Sequence, residues 1–98
     1  MRERVKLVSG SGNVYVDLGF DKVEAENLRL RSELTIRIVQ FYRKSGMTQR
    51  AAAKALGLTQ ARLNALLKGR ISQFPLDALV NVAVRAGFRV HLRVMSPA

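Results

Sequence analysis

Residues 48–70 read TQRAAAKALGLTQARLNALLKGR, and this stretch determines the predicted fold. Thr48 and Thr59 each precede a run of about eight residues with helical character, and threonine is a favourable helix N-cap. Only Gly57, Leu58 and the second threonine separate the two predicted helices. Two short helices joined by so short a turn must cross steeply, which is the helix-turn-helix arrangement.

The first predicted helix, Gln49–Leu56, carries three consecutive alanines at 51–53. Small side chains suit this arrangement because two helices that meet at a short turn must approach closely. We expect Ala53 to face the second helix, predicted over 60–68. Gly57 can adopt the backbone conformation of the turn without the steric cost of a Cβ atom.

The second predicted helix has an apolar and a polar face. Leu63, Leu66 and Leu67 are predicted to be buried. Gln and Asn can pair with adenine in the major groove, Arg can pair with guanine, and no acid occurs within 48–70. The residues expected on the exposed side are small, amide or basic: Gln60, Ala61, Asn64, Ala65 and Lys68, with Arg62 on the flank.

The rest of the chain predicts further helices and two short strands. Weak alternation over 13–20 indicates a strand, whereas Lys22–Ser45 has helical apolar spacing and forms either one long helix or two abutting ones. The run from 75 to about 86 predicts another helix. Alternation over 88–94 predicts a half-buried strand.

These elements predict three regions: an N-terminal arm with a short strand at 1–20, a helical domain at 21–87, and a C-terminal strand and tail at 88–98. A short strand needs a neighbour to be stable. The C-terminal strand could pair with residues 14–18 of its own chain or with the equivalent strand of a second chain. Val80, Val84 and Phe88 would then belong either to a dimer interface or to the core of one chain.

Charge divides the chain unevenly. The 98 residues carry 17 Lys and Arg against 7 Asp and Glu, a formal net charge of +10. Residues 1–33 hold six bases and six acids, whereas residues 34–98 hold eleven bases and one acid, Asp77. Such a one-sign surface attracts polyanions, nucleic acid foremost, with an anionic membrane or an acidic protein as alternatives.

The residue inventory disfavours several other classes. The chain has no cysteine and one histidine, and its basic half has no paired carboxylates, so we expect no enzyme activity, metal or cofactor. Residues 1–10 do not resemble a signal peptide and no stretch resembles a membrane span, so we expect a cytoplasmic protein. The aromatic residues disfavour RNA recognition because they occupy core-like positions: Phe41, Tyr42, Phe74 and Phe88.

Residues 48–70 resemble the helix-turn-helix of Xre/Cro-type repressors. The wider chain, from 12 to 94, is similar to small antitoxins of the HigA-like branch. The stretches that carry this similarity are GNVYVDLGF at 12–20, GMTQRAAAKALGLTQARLNALLKGRIS at 46–72 and FPLDALVNVAVRAGFRVHLRV at 74–94. The resemblance implies a mainly α, lambda-repressor-like bundle of four to five helices with short N- and C-terminal β-strands.

The resemblance also implies roles for individual residues. Gln49 would donate to a phosphate, Thr59 would cap the recognition helix and touch the DNA backbone or a thymine methyl, and Gln60 would read a base edge, most simply adenine. Lys68 and Arg70 would hold the phosphate backbone. The full predicted DNA-binding set is Gln49, Arg50, Thr59, Gln60, Ala61, Arg62, Asn64, Lys68 and Arg70.

Two positions depart from the family pattern. Ala61 stands where the family often has a longer base-reading side chain, and Ala65 is similarly short. Arg62 and Asn64 are the neighbouring side chains that could compensate for them.

The resemblance implies a transcriptional repressor that excludes polymerase by occupying its operator. It implies a two-fold dimer on palindromic double-stranded DNA. In the antitoxin version the protein also binds a RelE/HigB-like toxin and represses its own operon, and the charge-neutral N-terminal third is the candidate toxin contact. The alternatives are a phage-like or housekeeping regulator without a toxin, and an inhibitor whose basic face meets an acidic protein.

Overall fold

The computed structural model describes residues 13–96. All regular elements within this range are helical, and they follow one another with short connections. Their bounds are α1 (Val14–Asp17), α2 (Lys22–Ser45), α3 (Gln49–Leu56), α4 (Gln60–Leu67), a single 3₁₀ turn (Ile71–Gln73) and α5 (Leu76–Arg85). The mainly helical fold class is therefore confirmed.

The long α2 is one continuous helix. Its N-terminus is capped by the Asp21 carboxylate, which accepts a hydrogen bond from the backbone N–H of Glu24 at 2.9 Å. It ends at Gly46, whose φ of 73° lies in the left-handed region. The β-branched Thr35 is accommodated inside the helix because its hydroxyl donates to the Arg31 carbonyl at 2.8 Å.

The hydrophobic core lies where α2, α3, α4 and α5 meet. Phe74, in the link between α4 and α5, is completely buried at its centre. Phe41, Tyr42 and Phe88 pack against the core from its edge, so the predicted core-like placement of the aromatic residues is confirmed. The buried members are Ile38, Ala52, Ala53, Leu56, Leu63, Ala65, Leu66, Phe74, Leu79, Val82 and Ala83.

The Arg31 guanidinium joins α2 to the link between α4 and α5. It donates to the carbonyl oxygens of Ile71 at 2.7 Å and Phe74 at 2.9 Å, and to Asn27 Oδ1 at 3.0 Å. The bond to Phe74 gives that carbonyl a partner, whereas the Ile71 carbonyl also accepts from the backbone N–H of Phe74 at 3.0 Å and gains a second donor. The sequence pattern does not indicate the two carbonyl contacts, because Ile71 and Phe74 lie 40 and 43 residues from Arg31.

The predicted N-terminal strand over 13–20 is wrong, because residues 14–17 form α1. Asn13 is the N-cap, and its side chain accepts from the backbone N–H of Tyr15 at 3.0 Å. The Tyr15 ring also makes an edge contact with Phe20, with centroids 6.1 Å apart. Capping and this ring contact outweigh the β-propensity of a short run containing Val14 and Val16.

The predicted C-terminal strand over 88–94 is also not formed in the described part of the chain. The N–H of Phe88 bonds to the Ala83 carbonyl at 3.0 Å, and residues 89–96 have no regular secondary structure. A strand requires a neighbour, and α1 replaces the N-terminal strand that could have provided one. Residues 1–12 of the predicted arm, and the last two residues of the tail, lie outside the described residues.

Replacing Arg31 with alanine tests its structural role. The substitution removes charged donors from two carbonyl groups, so we expect Arg31→Ala to lower the free energy of unfolding by about 2 kcal/mol, measured by urea denaturation. Arg37→Ala is the matched control because this exposed arginine lies on the same helix, and we expect a change within about 0.5 kcal/mol. Equal effects of the two substitutions would contradict the role assigned to Arg31.

Candidate nucleic-acid interface

Two threonine caps position the helices of the predicted motif. The Thr48 hydroxyl accepts from the backbone N–H of Ala51, and the Thr59 hydroxyl accepts from that of Arg62, both at 3.1 Å. These caps fix where α3 and α4 begin, and α3 occupies the predicted Gln49–Leu56. The helix-turn-helix geometry expected from residues 48–70 is therefore present.

Gly57 makes the turn between α3 and α4. Its φ of 71° is left-handed, and the next residue, Leu58, donates to the Ala53 carbonyl at 2.8 Å. A Cβ atom on Gly57 would lie 2.9 Å from Nε of Arg85, so the arginine of α5 lies directly against the turn. This contact between residues distant in the chain leaves no signal in the sequence pattern.

Alanines allow α3 to pack closely. Ala52 and Ala53 are buried, as the small-residue argument predicts, whereas Ala51 is exposed. On its outer side α3 presents Arg50 and Lys54, which are four residues apart and therefore lie on one helix face.

One face of α4 carries an exposed row of three polar side chains. Gln60, Asn64 and Lys68 follow one another at four-residue intervals, and all three are exposed. Ala61 is exposed beside them, while Leu63 and Leu66 are completely buried on the other side. The helix therefore presents amide and ammonium groups outward from an apolar base.

The prediction that Ala65 lies on the exposed face of α4 is wrong. This side chain is 8% exposed and belongs to the hydrophobic core. A longer side chain here would have to displace the buried residues packed around it. The alanine thus reflects packing, and it is not a shortened DNA-reading residue. Leu67, predicted to be buried, is half-buried.

Arg62 lies apart from the row of Gln60, Asn64 and Lys68. Its guanidinium carbon lies 4.3 Å from the centre of the Phe74 ring, a cation–π contact. At roughly 100° per helical residue, Arg62 points nearly opposite to Asn64. Arg62 and Asn64 therefore do not lie side by side, and they are not placed to compensate together for the short side chain of Ala61.

The remaining predicted residues lie around the two helices. Gln49 is exposed at the start of α3, and Lys68 and Arg70 are exposed just beyond the end of α4. Thr59 is exposed at the N-terminus of α4, where its backbone geometry is that of an N-cap. The structure brings most of the predicted set to the outer faces and ends of α3 and α4, with Arg62 the exception.

The basic side chains after residue 34 form no ion pair among residues 13–96. The ion pairs in the part of the chain described are those of Arg29 with Glu26 at 2.7 Å and with Glu33 at 3.5 Å, both within α2. The Arg29 hydrogen bond, together with its charge, holds the pKa of Glu26 below its ordinary value. The eleven bases after residue 34 make no such pair within residues 13–96, so their field is available to an anionic partner.

Other kinds of site find no support among the described residues. Between 13 and 96, no group of three or more His, Asp or Glu side chains is placed to hold a metal ion. Within the same range, no helix is sufficiently long and apolar to cross a membrane.

Comparison with known proteins identifies the class. The sequence model of the helix-turn-helix domain family matches residues 14–95, which cover α1 to α5 and most of the C-terminal segment. The chain therefore belongs to the helix-turn-helix domain family, and this membership fits the Xre-like resemblance and indicates a DNA-binding regulator. No curated protein matches the chain.

Substituting Gly57 tests how the turn is built. Gly57→Ala introduces left-handed strain, so we expect it to lower the free energy of unfolding by about 1–2 kcal/mol in urea denaturation. The added Cβ also requires the Arg85 side chain to move, but that side chain is exposed and flexible. Gly69→Ala is the matched control, because its φ is 77° and a Cβ there would meet nothing within 4 Å. We expect similar losses for the two substitutions.

Adding Arg85→Ala tests whether the contact adds to the strain. In that background the cost of Gly57→Ala should stay close to its cost in the natural chain, because the Arg85 side chain can move aside and the backbone strain remains. A cost that falls well below that value would show that Arg85 is held firmly against the turn.

Proposed function

We propose that this protein is a sequence-specific double-stranded DNA-binding transcriptional repressor, and that it acts by occupying its operator. The observation that carries the proposal is the exposed row of Gln60, Asn64 and Lys68 on a helix whose other face is anchored in the core. An α-helix fits the major groove of B-DNA, where base edges can be distinguished.

Amide groups provide the sequence preference in this mechanism. Gln60, in the first turn of α4, and Asn64, one turn later, can each donate to and accept from one adenine edge. Ala61, exposed beside them, can make apolar contact with a thymine methyl group. We expect base discrimination to come chiefly from these positions.

Basic and polar groups around the two helices provide the sequence-independent affinity. Gln49, Arg50, Thr59, Lys68 and Arg70 are exposed at the outer faces or ends of α3 and α4, where they can contact phosphate oxygens. Residues 48–70 contain no Asp or Glu, so no carboxylate in this stretch repels the DNA backbone. No catalytic step is part of this function.

Arg62 has a different role in the proposal. Its guanidinium is held over the Phe74 ring, so it stabilises the base of α4 and contributes positive charge near the turn. Of the predicted set, it is the residue least suited to contact a base edge alongside Asn64. The compensation for Ala61 then rests on Asn64 and Gln60.

The repressor is proposed to act as a homodimer on a palindromic operator. Two copies related by a two-fold axis would place their α4 helices about one DNA turn apart. Such symmetry lets one small reading surface recognise two half-sites, which multiplies its specificity.

The HigA-like resemblance further supports an antitoxin role, in which the protein binds a RelE/HigB-like toxin and represses the operon that encodes both. Exposed apolar side chains are present in the charge-neutral N-terminal part, at Val14, Leu18 and Val23. Exposed apolar patches mark protein contacts. This region is therefore the proposed toxin-binding surface.

The DNA-binding function is tested with a duplex selected from a random library by the purified protein. Binding should weaken with salt, with a log–log slope of about −0.9 per phosphate contacted. Gln60→Ala should cost about 1–3 kcal/mol on the selected duplex and little on a scrambled one, because it removes a base contact. Fluorescence anisotropy measures both affinities.

Lys68→Ala should weaken binding to both duplexes alike, because it removes a phosphate contact. Gln40→Ala is the matched amide control, since Gln40 is exposed on α2, and it should change neither affinity. Equal losses for Gln60→Ala and Lys68→Ala on every duplex would overturn the reading role of Gln60.

The antitoxin role is tested by co-purification with the product of a neighbouring toxin-like gene. Deletion of residues 1–20, which removes α1, should abolish capture of the toxin while DNA binding is retained. Undiminished capture of the toxin by the shortened protein would refute the proposal that the N-terminal part binds the toxin. Absence of any toxin-like neighbour would favour a plain regulator, which shares the DNA-binding machinery proposed here.

A further inference from the structure

The segment after α5 has the sequence pattern of a strand, but it pairs with no other segment among residues 13–96. Among residues 89–96, the backbone makes no hydrogen bond within the described part of the chain, and every residue is exposed. Val90, Leu92 and Val94 nevertheless alternate with Arg89, His91 and Arg93. Leu92 is 80% exposed and Val94 87% exposed, which is an unfavourable placement for large apolar side chains.

The side chains of this segment are arranged symmetrically about His91. Phe88 and Val94, Arg89 and Arg93, and Val90 and Leu92 lie at equal distances along the chain on either side of it. If two copies pair antiparallel with His91 at the centre, each apolar residue faces an apolar residue of the partner subunit. A two-fold contact requires this kind of self-complementarity, because the same patch serves on both sides.

The apolar side of the segment continues into a groove of its own chain. Val90 and Leu92 line this groove together with Leu34 of α2 and Val80 of α5, and Arg89 and His91 of the segment also border it. Phe88 anchors the segment there, with its ring 6.4 Å from that of Phe41 in an edge contact. A two-stranded ribbon would therefore have an apolar surface beneath it to cover, in addition to its own cross-strand pairs.

We propose that residues 88–94 pair with the same residues of a second copy as an antiparallel two-stranded ribbon, which forms the dimer contact. This interface rests on the two-fold repressor proposed above and identifies the surface that joins its halves. The ribbon gives the free backbone groups partners and covers the apolar side chains. On its other side, Arg89 faces Arg93 of the partner subunit, and His91 faces His91 of the partner subunit.

The like charges on that side give the dimer a distinctive salt dependence. Directly opposed cations destabilise a strand pair, and salt screens their repulsion. Dimerisation should therefore strengthen as salt is raised, whereas DNA binding should weaken. Two opposite salt responses in one protein separate the ribbon from the DNA-binding surface.

The oligomeric state of the full chain is measured by sedimentation velocity at low and high salt. Leu92→Asp places a charge between the apolar faces and should raise the dimer dissociation constant roughly tenfold or more. Ile36→Asp is the matched control, because Ile36 is 54% exposed on α2, and it should leave the dissociation constant unchanged. A chain that is monomeric throughout, or equal effects of both variants, would overturn the ribbon.

The register is tested with single cysteines, which the natural chain lacks. Directly opposed residues in an antiparallel pair bring their Cβ atoms close to disulfide distance. His91→Cys should therefore form a covalent dimer under oxidising conditions, whereas Ser96→Cys, exposed in the same segment, should form little. Equal cross-linking of both variants would contradict the register.

Failure of the ribbon and failure of the repressor function can be told apart. If the ribbon is correct, Leu92→Asp should retain affinity for a single half-site and lose most of its preference for the full palindrome. A variant that remains dimeric and binds the palindrome normally would overturn the ribbon but leave the repressor intact. If the unmodified chain does not bind a half-site, that result would instead overturn the DNA-binding repressor function on which the ribbon rests.

Discussion

The burial of Phe74 is the constraint on which the proposed DNA-reading surface of α4 depends. This residue lies in the link between α4 and α5, with its ring completely buried, its carbonyl bonded to Arg31 of α2, and the Arg62 guanidinium over its ring. One residue thus ties α4, α2 and the link together. With that side of α4 anchored, the opposite side, bearing Gln60 and Asn64, must face outward.

Local chemistry explains which elements could be predicted from the sequence. Thr48, Thr59 and Gly57 fix the ends of α3 and α4 through contacts within a few residues, so their pattern alone locates the motif. The strand predicted around Val14 is wrong because the Asn13 side chain caps a helix there. This cap is also a local interaction, but the β-propensity of the valines is the more visible signal in the sequence.

Contacts between distant residues explain most of what the sequence did not reveal. Arg31 meets the link forty residues later, and Arg85 lies against Gly57, and neither pairing leaves a periodic signal. Ala65 looked like part of a polar face, yet the core extends far enough around α4 to bury it. Arg62 was expected near the reading row, but the aromatic ring of Phe74 provides a closer partner. The mainly helical fold class could therefore be predicted from the sequence pattern, whereas the set of residues exposed on α4 depends on tertiary packing.

The most direct test of this reading surface is a titration of isotope-labelled protein with its selected DNA duplex, followed by nuclear magnetic resonance. The side-chain amide signals of Gln60 and Asn64 should shift most, together with backbone signals at the start of α3 and α4, while those of α1 remain unchanged. Shifts concentrated in α1, with the signals of Gln60 and Asn64 unmoved, would contradict the assignment of α4 as the recognition helix.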